Sequence, residues 1–293
     1  MRTIKNHIAK IQPFMSMDVD YDDAKVVVFG APFDGTTSNR PGTKFASNAM
    51  RMESNALETY SPLLGLDLEE SRITDIGDAK LSYGDVEKVM EELEFLVDHV
   101  LSEHKIPLMI GGEHLVTYPA VKAVALAHPD VHVIHLDAHT DLREKFGGSK
   151  LSHATVLKRI WDLLGDGRIF QFGIRSGTKE EFDFARVDGH TYLEPFRIST
   201  VGEKLAQLSG KKIYVTIDLD VLDPSIMSGT GTPEAGGITY RELEAFFLLL
   251  HNADVTIVGA DIVELSPGLD LSNVSTATAC KVLREMALIL DNN

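Results

Sequence analysis

Cysteine is almost missing from this sequence: its 293 residues include one, Cys280. No intrachain disulfide is possible, which excludes a stapled scaffold, and a chain this long can bury a core without one. Cys280 lies in the helical-looking run 272–290 and reads as a small buried apolar residue. Long apolar runs are missing too. The longest, such as 246–250, are far too short to span a bilayer, and the opening MRTIKNHIAKIQPFMSMDVD has no apolar core of signal-peptide length. A soluble, cytoplasmic protein with no membrane partner is expected. Basic residues are scarce, 28 against 44 acidic, for a net charge of −16. Such a chain repels phosphate backbones, so no nucleic-acid partner is expected, whereas a cationic substrate would be attracted. No Ser- or Pro-rich linker and no internal repeat divides the chain, and residues 1–293 read as one domain. With 44% hydrophobic and 25% charged residues the composition is that of an ordered globular protein.

What is present alternates. Short β-branched runs at 25–30, 106–110, 131–136, 169–172, 212–217 and 255–260 read as strands. Helical patterns at 84–104, 116–127, 154–164, 180–186 and 239–251 lie between them. In the first of these Val86, Val89, Met90, Leu93, Leu96, Val97 and Val100 recur at three- and four-residue steps and share one face, a core-packing face. Strand and helix in repetition imply an α/β fold with a parallel sheet and helices on both faces. In such sheets ligands bind beyond the carboxyl ends of the strands.

Those ends carry chemistry. Gly111-Gly112-Glu113-His114 follows one strand, Asp137-Ala138-His139-Thr140-Asp141 a second, Asp218-Leu219-Asp220 a third and Asp261-Ile262-Val263-Glu264 a fourth. Asp137, His139 and Asp141 are spaced i, i+2, i+4, so an extended segment points all three to one face, and Asp218 and Asp220 repeat that pattern. Converging carboxylates repel unless a cation sits between them. Together with His114 the set is four carboxylates and two imidazoles. That is too many donors for one tetrahedral zinc and suits two metals with shared carboxylates; the oxygen-rich, thiolate-free set favours Mn²⁺. Two such ions, about 3.5–4 Å apart, lower the pKa of a bridging water and make a hydroxide nucleophile, which points to hydrolysis. His128, His132 and His135 read as structural or surface histidines, and Asp223-Pro224 as a turn.

These motifs, with SHAT at 152–155, IDLDVLDP at 217–224, SGTGTPEAGG at 228–237, DIVELSP at 261–267 and GAPFDGTTSNRPGTKFASNAMR at 30–51, resemble the ureohydrolases, the family of arginases and agmatinases, over most of the chain. The resemblance implies a three-layer α/β/α fold with a mostly parallel central sheet, and two Mn²⁺ per chain. One ion would be held by His114, Asp137, Asp141 and Asp218, the other by Asp137, His139, Asp218 and Asp220, with Asp137 and Asp218 bridging. His153 matches the family's proton-shuttling histidine and Glu264 the carboxylate that grips the guanidinium. Thr232 lies in the loop lining the pocket, and Glu234 in the same loop is a further candidate contact. A homo-oligomer, trimer or hexamer, is also implied. The segment after DAHTD lacks the arginase-like Asn- and Ser/Thr-bearing loop, and DLRE, FGIRSG at 172–177 and GTGTPEAGG look like agmatinases, so urea and putrescine are the expected products from a small cationic guanidine. Glu113 stands where many relatives have Asp. Arg143 and Lys145 keep open a sibling activity on an acidic guanidine such as guanidinobutyrate, and arginine also stays open as substrate. The full six-ligand set argues against a zinc deacetylase of related architecture, which uses one metal and fewer ligands. Intact ligands together with His153 and Glu264 argue against a non-catalytic regulator of the same fold.

Overall fold

A computed structural model describes residues 4–293. Its strands are β1 (Ile8–Ala9), β2 (Val26–Gly30), β3 (Tyr60–Ser61), β4 (Leu66–Asp67), β5 (Ile73–Ala79), β6 (Ile106–Ile110), β7 (His132–Leu136), β8 (Ile169–Ile174), β9 (Tyr192–Pro195), β10 (Lys212–Asp218) and β11 (Thr256–Val263). Its helices are α1 (Ala46–Ser54), α2 (Val86–Ser102), α3 (Thr117–Ala127), α4 (Val156–Leu164), α5 (Lys179–Ala185), α6 (Val201–Gln207), α7 (Tyr240–His251) and α8 (Val274–Asn292). Nine strands form one sheet in the order β1-β5-β2-β6-β11-β10-β7-β8-β9, and β3 and β4 pair as a small separate ribbon. Every pairing in the large sheet is parallel except β1 with β5. Apart from the first residues of β7 and β10, the central strands are buried along their length, which is why they read as continuous apolar runs rather than alternations.

Two hydrophobic cores lie on opposite faces of the sheet. One packs α1, α6, α7 and α8 against it, the other α2, α3 and α4. This is the three-layer α/β/α arrangement with a mostly parallel sheet. In α2 the expected face is the buried one, with Val89, Met90, Leu93, Leu96, Val97 and Val100 inside and the Asp85 side chain capping the Lys88 amide at 3.0 Å. Among the described residues no helix is long and apolar enough to cross a membrane. Cys280 is buried in α8.

Two expectations are corrected. The last parallel strand runs three residues past Ala260, so Asp261 lies inside β11, where its carboxylate accepts from Tyr214 Oη at 2.7 Å and Thr216 Oγ1 at 2.6 Å. A charged residue can continue a buried strand when its neighbour supplies donors. The unforeseen β5 has the same explanation: Asp75 and Asp78 interrupt its apolar run, and Arg51 of α1 satisfies both.

Candidate metal centre

The four strands that end in DAHTD, DLD, GGEH and the Glu264 segment are adjacent in the sheet, β6-β11-β10-β7. Their carboxyl ends open into one cavity of about 220 Å³, lined among others by His139, Asp141, His153, Asp218, Thr232 and Glu264. The GGEH turn reaches it because its backbone lies against that of Phe33; a Cβ on Gly112 would sit 1.9 Å from the Phe33 carbonyl oxygen.

Three carboxylates converge on one imidazole. His114 Nδ1 lies 3.1 Å from Asp137 Oδ2, 3.2 Å from Asp141 Oδ2 and 3.4 Å from Asp218 Oδ2. All four residues are buried. The other nitrogen, Nε2, is 3.1 Å from Thr216 Oγ1, whose hydroxyl donates to Asp261. Thr216 therefore accepts the Nε2 proton, and the Nδ1 lone pair faces the carboxylates. Nδ1 is a buried polar atom without a hydrogen-bond partner. On the other side, His139 Nδ1 lies 3.0 Å from Asp220 Oδ2 and 3.4 Å from Asp137 Oδ1. The two oxygens of Asp137 thus face different imidazoles, as a bridging carboxylate requires. Asp218 sits on the His114 side, with its Oδ1 accepting the Asp220 amide at 2.9 Å.

Convergence is reached by a different route from the extended spacing. Asp141 has φ 52°, a left-handed conformation that turns it back toward Asp137, and Asp220 lies in a 3-10 turn after β10. Glu264 is a second site residue in the left-handed region, at φ 67°. Such non-glycine residues cost free energy that the surroundings must offset.

His135 is neither exposed nor remote. It is fully buried, with Nε2 2.8 Å from Asp137 Oδ2. It also lies within ligand distance of His114 and Asp137. However, the Gln171 amide donates to Thr140 O at 2.8 Å and to His135 Nδ1 at 3.1 Å, which leaves the His135 proton on Nε2, pointing at Asp137. His135 orients that carboxylate rather than offering it a lone pair. His128 is structural, accepting from Lys212 Nζ at 3.0 Å.

The donor set fits divalent cations. Burial and the neighbouring Asp137 charge push the Asp141 carboxyl up to about 7. Burial with Asp220 and Asp137 holds Asp218 well above the usual carboxylate range. Burial works against charge on His114, but the Asp137, Asp141 and Asp218 carboxylates hold it well above an ordinary histidine. Like charges are packed together in a dry site around one imidazole, and divalent cations entering there would relieve their repulsion.

Around this cluster, His153 opens a 3-10 turn capped by Ser152. Its Nε2 is 3.1 Å from Ser38 Oγ, and its amide donates to Thr36 Oγ1 at 3.1 Å. Burial, with help from the His139 and His114 charges, lowers its pKa to about 4, so it is neutral at neutral pH. Thr36 is in turn held by the buried Glu113, its amide 2.8 Å from Oε2. Glu264 Oε1 accepts the His114 amide at 2.8 Å. Burial beside Glu113 pushes its carboxyl up to about 8, and among the described residues it forms no ion pair. Thr232 Oγ1 is 3.5 Å from Asp220 Oδ2. Glu234 lies at the edge, 3.9 Å from His139 Nε2, with Ser176 donating to it at 3.0 Å. Arg143 lines the cavity, but its Nε pairs with Glu181 at 3.2 Å and its guanidinium stacks on Phe146. Lys145 is exposed and lines a neighbouring surface hollow instead. Sequence reasoning assigned no role to Ser38, Thr36, Thr216, Gln171 or Arg175, although the loop holding the first two and the FGIRSG segment holding Arg175 belonged to noted motifs.

The chain is similar to known proteins over most of its length. The model of the "Arginase family" matches residues 24–289. An agmatinase of Bacillus cereus is 43% identical over 94% of this chain and 95% of its own. The mitochondrial guanidino acid hydrolase of Homo sapiens is 34% identical over 89% and 77%. A solved structure from Clostridium difficile is 56% identical and superposes with a TM-score of 0.92 over 93% of this chain and 99% of that one.

Proposed function

The chain belongs to the arginase family and is an amidinohydrolase; on that premise we propose that its substrate is agmatine, split by water into urea and putrescine. The observation that carries the choice is the charge of the cavity. Its buried Glu264 carboxylate has no cationic partner among the described residues, and the one cation lining the cavity, Arg143, is already paired with Glu181. A substrate with a guanidinium at one end and an ammonium at the other supplies positive charge without demanding any. A guanidino acid would need a free cation at its far end, and Lys145 is not in the cavity.

In this reading His114, Asp137, Asp141 and Asp218 hold one ion, and His139 and Asp220, with Asp137 and Asp218, hold the second. Mn²⁺ suits the oxygen-rich set. Bound there, the pair supplies Lewis-acid polarisation of the guanidine and a water acidified toward neutrality. Glu264 pairs with the guanidinium and orients its central carbon. Thr232 steadies Asp220. Glu234 sits where the substrate passes the rim. His153, neutral and open at Nε2 apart from Ser38, accepts and returns a proton as the diamine leaves. The proposal includes the homo-oligomeric assembly, trimer or hexamer, and the cytoplasmic location expected from sequence.

The test is urea release from agmatine, arginine and guanidinobutyrate with added Mn²⁺. Agmatine should be preferred strongly. Equal efficiency on arginine or guanidinobutyrate overturns the substrate assignment.

A further inference from the structure

Arg175 has no assigned role, yet its side chain is the most heavily engaged arginine near the cavity. Nη2 lies 2.6 Å from the Asp220 carbonyl oxygen and 2.9 Å from that of Glu234. Nη1 reaches the carbonyls of Gly173 and Val221, each at 3.2 Å. Nε adds a second contact to Glu234 O at 3.3 Å, and Leu222 O is at 3.5 Å. Among the described residues it forms no ion pair with a carboxylate. The guanidinium serves as a fan of planar donors, filled by main-chain oxygens.

The backbone of the same segment grips the other side. The Arg175 and Ser176 amides both donate to Ala138 O, at 2.7 and 2.9 Å, and the Thr140 amide donates to Ser176 O at 3.1 Å. So the chain is held on both flanks of His139. One short stretch after β8 therefore ties the His139 loop through its main chain and the Asp220 turn through the Arg175 side chain. The two meet at the 3.0 Å contact between His139 Nδ1 and Asp220 Oδ2. Gly173 makes this approach possible: at φ 85° it brings β8 so near that a Cβ would lie 2.6 Å from Val221 Cγ2 and 3.1 Å from Asp137 O.

The His114 side is built differently. Asp218 is the last residue of β10, paired with Val263 in the ladder, and His114 is fixed through its amide by Glu264 and through Nε2 by Thr216. None of these contacts uses Arg175. Asp220 is past the end of the strand and has no ladder to hold it.

We propose that Arg175 is a positioning residue for one half of the centre, setting the His139–Asp220 separation and hence the affinity of the second ion alone. The inference rests on the two-ion reading above. Lysine would not substitute, because three donors on a single nitrogen cannot span carbonyls from two loops.

The experiment is equilibrium dialysis of the full chain against Mn²⁺ alone, with metal per chain measured at each concentration, for wild type, Arg175→Lys and Arg175→Ala. Wild type should hold two ions. In Arg175→Lys the first ion should bind as in wild type, while the second weakens about 10- to 100-fold, the range typical when a group supporting a ligand is lost. Saturating Mn²⁺ should then restore most of the turnover. Arg175→Ala should show the same selective loss; if it fails to fold, Arg175→Lys carries the test. Equal weakening of both ions, or unchanged binding of both in Arg175→Lys, overturns the inference. A wild-type chain that saturates below two ions overturns the metal reading beneath it, and the inference with it.

Discussion

Among the described residues, two buried acidic clusters differ in their cation: one holds a guanidinium, the other only imidazoles. In the first, Asp75 and Asp78 of β5 flank Arg51 of α1, whose side chain is 1% exposed. Arg51 Nε and Nη2 contact Asp75 at 2.7 and 2.9 Å, and Nη2 also donates to Gly77 O at 3.0 Å. The Phe14 and Gly77 amides fill remaining acceptors on Asp75. Burial disfavours the Arg51 charge, but the two carboxylates more than offset it and hold the guanidinium above its ordinary range. The second cluster gathers Asp137, Asp141, Asp218 and Asp220 around two imidazoles, so that three carboxylates crowd the single Nδ1 atom of His114. The first cluster is a closed bond between a helix and a strand. The second gathers more carboxylates than its two imidazoles can balance, and a cation from outside would complete it. A buried carboxylate therefore marks function when its neighbours fail to satisfy it, and burial by itself does not.

The comparison breaks at its strongest point if the second cluster works without its bridge. Asp137→Ala should abolish urea release and strip metal from the protein, read by a urea assay and metal analysis on the same sample. His153→Ala keeps every proposed ligand, so metal content should stay at the wild-type level while turnover falls about 10²–10⁴-fold, the usual contribution of an acid–base group. Metal loss in that variant would refute the proton-relay role. Glu264→Gln should lower kcat/KM for agmatine by on the order of 10²–10³-fold with both ions retained, because a buried charge pair with the substrate becomes a neutral contact. Normal efficiency in a metal-replete Glu264→Gln protein would remove Glu264 from guanidinium binding.

On the closed side, Arg51→Met leaves two carboxylates buried without a cation. Denaturant melts should show a loss of about 3–5 kcal/mol, the same with and without Mn²⁺. The smallest effect is the sharpest. Asp218→Asn removes one of the crowded like charges, so the metal-free variant should melt slightly higher than metal-free wild type. The gain should be about 1 kcal/mol, or roughly 2–4 °C in Tm, and added Mn²⁺ should raise it far less than it raises wild type. A lower Tm in metal-free Asp218→Asn would mean that this cluster, too, is internally satisfied.

The strand-end motifs were legible because metal-binding chemistry would restrict residue type: an Asp-x-His-x-Asp run has few other uses, and the six proposed ligands lie together at the strand ends, with His139, Asp141 and Asp218 lining the cavity. Their partners were not legible. Thr216, Gln171 and His135 are strand residues of ordinary type, and what they do depends on which strands lie beside them. β5 was missed for the same reason: Asp75 and Asp78 look like breaks in an apolar run until Arg51, distant in sequence, is packed between them. Asp261 looked like a strand end until Tyr214 and Thr216 of β10 took up its charge.

By itself the sequence determined the alternation of strands and helices, the parallel sheet and the donor types at the strand ends, because periodicity and side-chain chemistry are local properties. Tertiary structure alone decided that the four chemistry-bearing strands are neighbours, that Asp141 turns back through a left-handed conformation and that Arg175 ties two loops together. Strand order and contacts across the sheet join residues 150 and more positions apart, as where Glu264 meets the His114 amide. No window of sequence holds both partners of such a contact.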